Sequence, residues 1–460
     1  MLFSRRDLVN MTLPLIIQQT LAVTVGMIDT MMVSSAGEAA VSGVSLVNSL
    51  DILLINVFAA LVSGGSIVVS QFLGRGDLNL VRSSAKQLIY VATAVALLIT
   101  GLVLIFRVPL LDLLFGDVEP DVMSSAQDYF FFMSLSFPFL ALYDSCSALF
   151  RVMGNSSLTM IVSIVMNLIN VAGNAALIYG FQMGAMGAAI ATLFARMVCS
   201  FIMLYLLHNK KNTVYVEHML QYRPDGAVIR NILRIGIPNG VENSMFQLGK
   251  LLTQSLISAM GTAAIAANAV GHTMATFQYM PGQAIGLVVI AVVGRCIGAG
   301  EQEQAKKYSR ILVGTTYLCL WGVVLLTFLV AEPVIGLYNL SEEGAELAHA
   351  LILSHAVSAA VMWPVAFTLP NALRAASDVR FTMILSVSSM WCFRVALAYV
   401  FAQETVSIFG WSFPGLGMGV MGVWVAMYVD WIFRAVFFLI RYFSGRWLKK
   451  DRPAAVSQSA

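Results

Sequence analysis

Long apolar runs, recurring from one end of the chain to the other, constrain this fold more than any other feature. A helix needs about 20 mostly apolar residues to cross the hydrocarbon of a bilayer. Twelve segments reach that length: 10–35, 44–72, 86–107, 127–150, 157–180, 184–208, 232–259, 266–297, 309–332, 346–373, 380–402 and 416–442. Lipid offers backbone amides no hydrogen-bond partner, so each segment is expected to be helical. Charged residues make up only 11% of the 460 residues and hydrophobic ones 59%, whereas soluble domains carry about 25% charged residues. The chain therefore reads as an all-α polytopic membrane protein with twelve transmembrane helices. Arg5, Arg6 and Asp7 lead directly into a full-length span, so no cleaved leader is expected. Cys146, Cys199, Cys296, Cys319 and Cys392 are scattered singly through apolar stretches and read as small buried hydrophobes, not as a disulfide or zinc framework. A net charge of +3 is too small to imply nucleic acid.

The placement of that charge says more than its total. Arg5 and Arg6, then Arg75, Arg82 and Lys86, Arg151, Lys210, Lys211, Arg223, Arg230 and Arg234, Arg295, Lys306, Lys307 and Arg310, Arg374 and Arg380, and Arg441 to Arg452 all fall on one side. The opposite loops carry Glu38, Asp117, Glu119, Asp121, Glu332, Glu342, Glu343 and Glu404, with Arg107 as the basic exception. By the positive-inside rule both termini are expected in the cytoplasm of a plasma (inner) membrane protein. The end beyond Trp447 is expected to be solvated and disordered.

The two halves of the chain resemble each other. Sliding the second half back by 224 positions pairs Leu13-Pro14 with Ile237-Pro238, Gly37 with Gly261, and Gly74-Arg75-Gly76-Asp77 with Gly298-Ala299-Gly300-Glu301. The register slips by one at Arg151/Arg374, and after an insertion pairs Gly184 and Gly187 with Gly419 and Gly422. The expected organisation is an N-lobe at 1–208, a polar cytoplasmic linker at 209–231, a C-lobe at 232–445 and a tail at 446–460. Two parallel six-helix lobes would then be related by a pseudo-two-fold axis along the membrane normal, a plan common in transporters.

Within the apolar segments a few polar residues stand out. Asp29 lies in LPLIIQQTLAVTVGMIDTMMV, otherwise uncharged. A carboxylate at the centre of a membrane helix costs about 2.5–3.5 kcal/mol on insertion scales, so it is expected to face a cavity, pair with a neighbouring helix, or bind a proton or cation. Gln18, Ala22 and Val25 share its face. Asn170 and Asn174 are one turn apart on the fifth span, where amide oxygens with one carboxylate can replace the hydration shell of Na⁺. Asp144, about two turns before Arg151, either joins that site or pairs with a neighbour. Asp51, with Asn48 and Asn56 nearby, is expected nearer the outer interface. The seventh span is unusually polar: Glu242, Phe246 and Thr253 share a face, with Gln247 and Lys250 close by. Glu242 offers a ligand for a cationic drug, against the alternative of a structural ion pair. The second-repeat counterpart of Asp29 is Thr253, so the carboxylate is not duplicated. His272 and His355 read as core histidines, and Arg394 and Asp430 either pair or line the C-lobe cavity.

VTVGMIDTMMVSSAGEAAVSGVSLVNSL, SIVVSQFLGRGDLNLVRSSAKQ, VVIAVVGRCIGAGEQEQAKKYSR, ALFRVMGN, NALRAASD and MNLINVAGNAALIYG with GAMGAAIATLFAR follow one another in this order. Together they resemble the MATE (multidrug and toxic compound extrusion) family over nearly the whole chain. The resemblance implies a two-lobe, twelve-helix exporter of organic-cation or amphipathic drugs, driven by inward H⁺ or Na⁺. It implies coupling at Asp29, Asn170 and Asn174, which would also be the metal ligands if the ion is Na⁺. Glu242, Phe246, Gln247, Lys250 and Thr253 are the candidate substrate contacts. Where some relatives carry an acid in the tenth span, this chain has Trp363-Pro364, which moves the weight of ion coupling to the N-lobe. No cofactor is expected beyond the coupling ion, no enzyme activity, no P-loop GxxxxGK[ST] chemistry, and a monomer in the lipid bilayer. The alternative reading is a related lipid-linked oligosaccharide flippase.

Overall fold

The computed structural model describes residues 2–448 apart from 117, 218, 220, 222, 223, 339, 409 and 410. Asp117 and Arg223 of the charge pattern, and the tail from 449 to 460, lie outside the described residues. Among the described residues, eleven helices are long and apolar enough to cross a membrane. They are α1 (Arg5–Ser34), α2 (Glu38–Arg75), α3 (Leu78–Phe115), α4 (Pro120–Val152), α5 (Ser156–Gly180), α6 (Gly184–Leu207), α8 (Thr262–Gly298), α9 (Gln302–Gly336), α10 (Glu342–Ala375), α11 (Val379–Ala402) and α12 (Gly419–Phe443). Between them lies α7 (Gly226–Ser258), whose 33 residues make a rod of about 50 Å. Asn239, Glu242, Asn243, Gln247, Lys250 and Gln254 keep α7 below the apolarity of the others. It begins inside the segment expected to be linker.

Short, well-defined caps set the helix ends. Ser4 and Asp7 form a reciprocal capping box at α1, with Ser4 N donating to Asp7 Oδ2 at 2.7 Å and Asp7 N to Ser4 Oγ at 3.2 Å. Asp77, Asn155 and Ser341 accept from backbone amides at the starts of α3, α5 and α10. Turn glycines repeat along the chain: Gly37 and Gly261 have φ of 105° and 98°, and Gly76 and Gly300 have 77° and 78°. These are the pairs matched by the sequence register, and only glycine occupies such φ without strain. At the slipped position Gly154 (φ 88°) meets Ser377 (φ 65°), a non-glycine held left-handed.

The chain divides into two compact units, one within 1–240 together with Gly298–Gly300, the other formed by the rest of the second half. In the first, Phe130, Val47, Ala126 and Leu111 form the centre of one fully buried cluster, and Phe58 and Phe137 centre another, their ring centroids 5.7 Å apart. In the second, Trp363, Trp424, Trp431 and Leu351 anchor a larger core. Three helices loosen into π-turns: α5 at Ala175–Gly180, α10 at Pro364–Thr368 and α11 at Met390–Val395. The insertion after α11 forms a two-stranded antiparallel hairpin, β1 (Thr405–Ile408) with β2 (Trp411–Pro414), pairing Thr405 with Pro414 and Val406 with Phe413. The expected tail does not begin at 446. Arg446–Leu448 is a helical turn, and Trp447 is 1% exposed, stacked on Tyr442, its Nε1 donating to the Tyr442 carbonyl at 3.0 Å.

Candidate functional site

In the first unit, α1, α5 and α6 converge on Asp29. Asp29 is half-buried on α1. Asn174, 1% exposed, donates from Nδ2 to Asp29 Oδ1 at 2.7 Å. One turn back, Asn170 is 7% exposed. With its amide turned towards the carboxylate, its nitrogen lies 2.8 and 3.1 Å from the two Asp29 oxygens and its oxygen 3.0 Å from Thr192 Oγ1 on α6. The α-helical spacing of four brings both asparagines to the same carboxylate, and the π-turn begins at the residue after Asn174; such turns are frequent at functional sites. Among the described residues, Asn174 Oδ1 is buried with no hydrogen-bond partner. A buried orphan acceptor costs about 1–3 kcal/mol, and this one belongs to the amide that bonds Asp29. Carboxylate, amide and hydroxyl oxygens are hard donors, of the kind that suits H⁺ or an alkali cation. Towards the start of α1, Gln18 Oε1 accepts from Thr159 Oγ1 of α5 at 3.3 Å and ties the two helices together.

A second polar layer adjoins this one. Arg196 on α6 donates to Ser136 Oγ on α4 at 2.7 Å, and its charge acts on Asp29, Asp51, Asp144 and Tyr129 together. Asp144 is half-buried and feels both Arg151 and Arg196, with no direct bond to Asp29. Asp51, expected nearer the outer membrane interface, is 2% exposed within this unit, and among the described residues neither carboxylate oxygen has a hydrogen-bond partner. Thr192 and Arg196 are the members that sequence reasoning passed over. Thr192 sits in the small-residue run GAMGAAIATLFAR, where a threonine ordinarily does no more than bond back to its own helix, as it also does here to Ala188 O at 3.0 Å.

The seventh-span candidates separate in the second unit. Phe246, Lys250 and Thr253 line an open cavity of about 180 Å³. Glu242 and Gln247 do not line it. Glu242 is 7% exposed and accepts from Arg374 Nη2 at 2.6 Å, while Arg374 Nη1 donates to Asn371 at 2.9 Å. Arg394 lines the cavity, and Asp430 pairs with Arg434 at 2.8 Å and with the Ser389 hydroxyl, so the two considered as partners have no direct bond. His355 is bonded to Gln278 and faces the cavity with His272.

The chain matches the MatE family model twice, over residues 14–176 and 238–400. The two segments start at Pro14 and Pro238, the prolines that the internal register pairs. It is 26% identical over 456 residues to the "Probable multidrug resistance protein NorM" of Thermotoga maritima, covering 97% of this chain and 94% of that protein. It is 27% identical to the "Uncharacterized transporter YisQ" of Bacillus subtilis, covering 96% and 95%. A solved outward-facing multidrug resistance MATE family transporter of the MOP superfamily superposes with a TM-score of 0.85 at 19% identity, over 97% of this chain and 96% of that one. Twice-matched family model, full-length relatives and shared fold agree, and the chain belongs to the MatE (multidrug and toxic compound extrusion) family of membrane transporters.

Proposed function

We propose that this protein is a secondary active multidrug exporter of the inner membrane, built from two six-helix repeats with both termini cytoplasmic, that exchanges H⁺ or Na⁺ for drugs at Asp29 by alternating access. The observation that carries this reading is the convergence of Asn174 and Asn170 on the one carboxylate of α1, with Thr192 behind Asn170. Protonation or cation binding removes a buried charge and rearranges its amide partners. Pro14 inside the helix, and Gly26 with open space around it, give α1 places to bend in response. A single charge moving through about 100 mV supplies about 2.3 kcal/mol, which at about 1.4 kcal/mol per decade sustains a roughly fifty-fold drug gradient. One ion per cycle is therefore enough for useful export of an uncharged drug; one-for-one exchange with a singly charged cation moves no net charge and draws on the ion's concentration gradient instead. The names of the Thermotoga relative and of its Bacillus subtilis namesake support drugs as cargo.

Ethidium efflux from cells or proteoliposomes tests the reading. Asp29→Asn is expected to abolish ion-driven export, and undiminished export by that variant would sink the coupling role. Repeating the wild-type assay in Na⁺-free buffer, and then with a protonophore, identifies the ion by which treatment stops the efflux.

A further inference from the structure

The cavity of the second unit carries a charge opposite to that of the Asp29 site. No aspartate or glutamate is among its lining residues, while Lys250 and Arg394 both are. Arg394 is only 9% exposed, and among the described residues neither its guanidinium nor the Lys250 ammonium has a hydrogen-bond or ion-pair partner. The nearby acids are committed elsewhere: Asp430 to Arg434 at 2.8 Å and to Ser389, Glu242 to Arg374 at 2.6 Å. What the two cations have instead is the ring of Phe246, with Lys250 Nζ 5.4 Å and Arg394 Cζ 5.3 Å from its centroid, and Arg434 Cζ 5.5 Å away as well. A ring quadrupole shared by three cations offsets little of their charge. Buried charges are normally paired, so this set lacks its anion.

The walls give the rest of the ligand. Tyr279 stacks on Trp363 with centroids 5.7 Å apart and planes 4° apart, and Trp363 stacks on Phe367 at 5.1 Å. The π-turns place two of the participants: Phe367 belongs to the one in α10, and Arg394 to the one in α11. The repeat register sharpens the contrast. Thr253 occupies the position of Asp29 and Lys250 that of Gly26, so α7 offers a base and a hydroxyl where α1 offers a carboxylate. We propose that this cavity is a binding site for a flat aromatic anion, a carboxylate or sulfonate on one or two fused rings, whose acid group meets Lys250 and Arg394 while its rings lie along the Tyr279–Trp363–Phe367 face. The proposal rests on the efflux reading for the direction of transport and extends it by naming a substrate class of opposite charge to an organic cation.

Isothermal titration of the full chain in phosphatidylcholine nanodiscs tests it, with two probes of the same ring and opposite charge, 1-naphthoate and 1-naphthylmethylammonium. The expected result is that naphthoate binds and the ammonium neither binds comparably nor displaces it. Lys250→Gln and Arg394→Gln are each expected to weaken naphthoate by about tenfold, the loss of one charge-assisted contact, and Lys250→Arg to retain it. Binding of the ammonium as tightly as naphthoate, or naphthoate affinity unchanged in both glutamine variants, overturns the proposal. If either glutamine variant fails to fold, the two-probe comparison on wild-type protein decides alone. Equilibrium binding needs no coupling ion, so Asp29→Asn is expected to bind naphthoate like the wild type. Ethidium export that survives in Asp29→Asn would therefore remove the coupling reading without touching this one.

Discussion

At the scale of single residues, the proposed ion site rests on four side chains from three helices, and each can be tested by a change that keeps its shape. Thr192→Val removes the hydroxyl that meets Asn170 at 3.0 Å. Loss of one net hydrogen bond of about 1 kcal/mol corresponds to about a fivefold shift in the ion concentration that half-activates efflux, read from initial rates across an ion series. An unchanged ion dependence would leave Thr192 as a helix-bonding residue. A second change separates architecture from transport. Arg374 and Glu242 have side-chain exposures of 18% and 9%, and removing one partner of such a pair strands the other charge. Arg374→Ala is expected to destabilise the purified protein by about 3–5 kcal/mol, seen as a lowered thermal midpoint, and the double variant with Glu242→Gln to recover part of it.

The sequence made some of these residues visible and hid others. Asp29 shows because a carboxylate interrupts an uncharged segment, and Asn170 and Asn174 show because a spacing of four puts two amides on one face. Lys250 and Phe246 stood out for the same reason on a polar helix. Thr192 did not, because its hydroxyl is common in helices and its neighbour Asn170 is reached only through the packing of α6 against α5. Glu242 looked like an open ligand because Arg374 is 132 positions away in sequence. Nothing near Asp51 in sequence reveals that it is buried.

At the scale of elements, hydropathy is enough to find the eleven apolar helices among the described residues, since length and apolarity are local properties, while α7 is too polar to stand with them. The π-turns are invisible to hydropathy: one extra residue per turn leaves no mark on a run that is apolar on every side. The hairpin of Thr405–Ile408 and Trp411–Pro414 read only as inserted length, because each strand is four residues long. Helix contacts are equally hidden, yet they bear on stability. A Cβ on Gly422 of α12 would stand 2.6 Å from the Phe401 carbonyl oxygen of α11, and one on Gly43 of α2 would stand 2.8 Å from the Ala126 backbone nitrogen of α4. Because backbone faces backbone, neither side can step aside by changing rotamer. Gly422→Ala and Gly43→Ala are each expected to cost about 1–3 kcal/mol, as overpacking does, in thermal unfolding in detergent. Gly101→Ala, with open space around it, is the matched control and is expected to leave the midpoint unchanged or slightly raised.

At the scale of the whole molecule, the charge pattern predicts orientation. Cysteine placed at Lys211 is expected to react with a membrane-impermeant maleimide only from the cytoplasmic side, and cysteine at Glu343 only from the outside, in sealed vesicles of known polarity. Labelling of both from one side would contradict the assignment of the termini. The repeated turn glycines have a further consequence. Gly37 and Gly261, and Gly76 and Gly300, share backbone angles to within a few degrees, so duplication left the frame of each half alone, while the side chains at positions 29 and 253 diverged to Asp and Thr. A half-length ancestor assembled from identical copies would have had to present the same residue at both places. Fusing the copies into one chain would free the two halves to specialise separately, one for the proposed ion and the other for the proposed cargo.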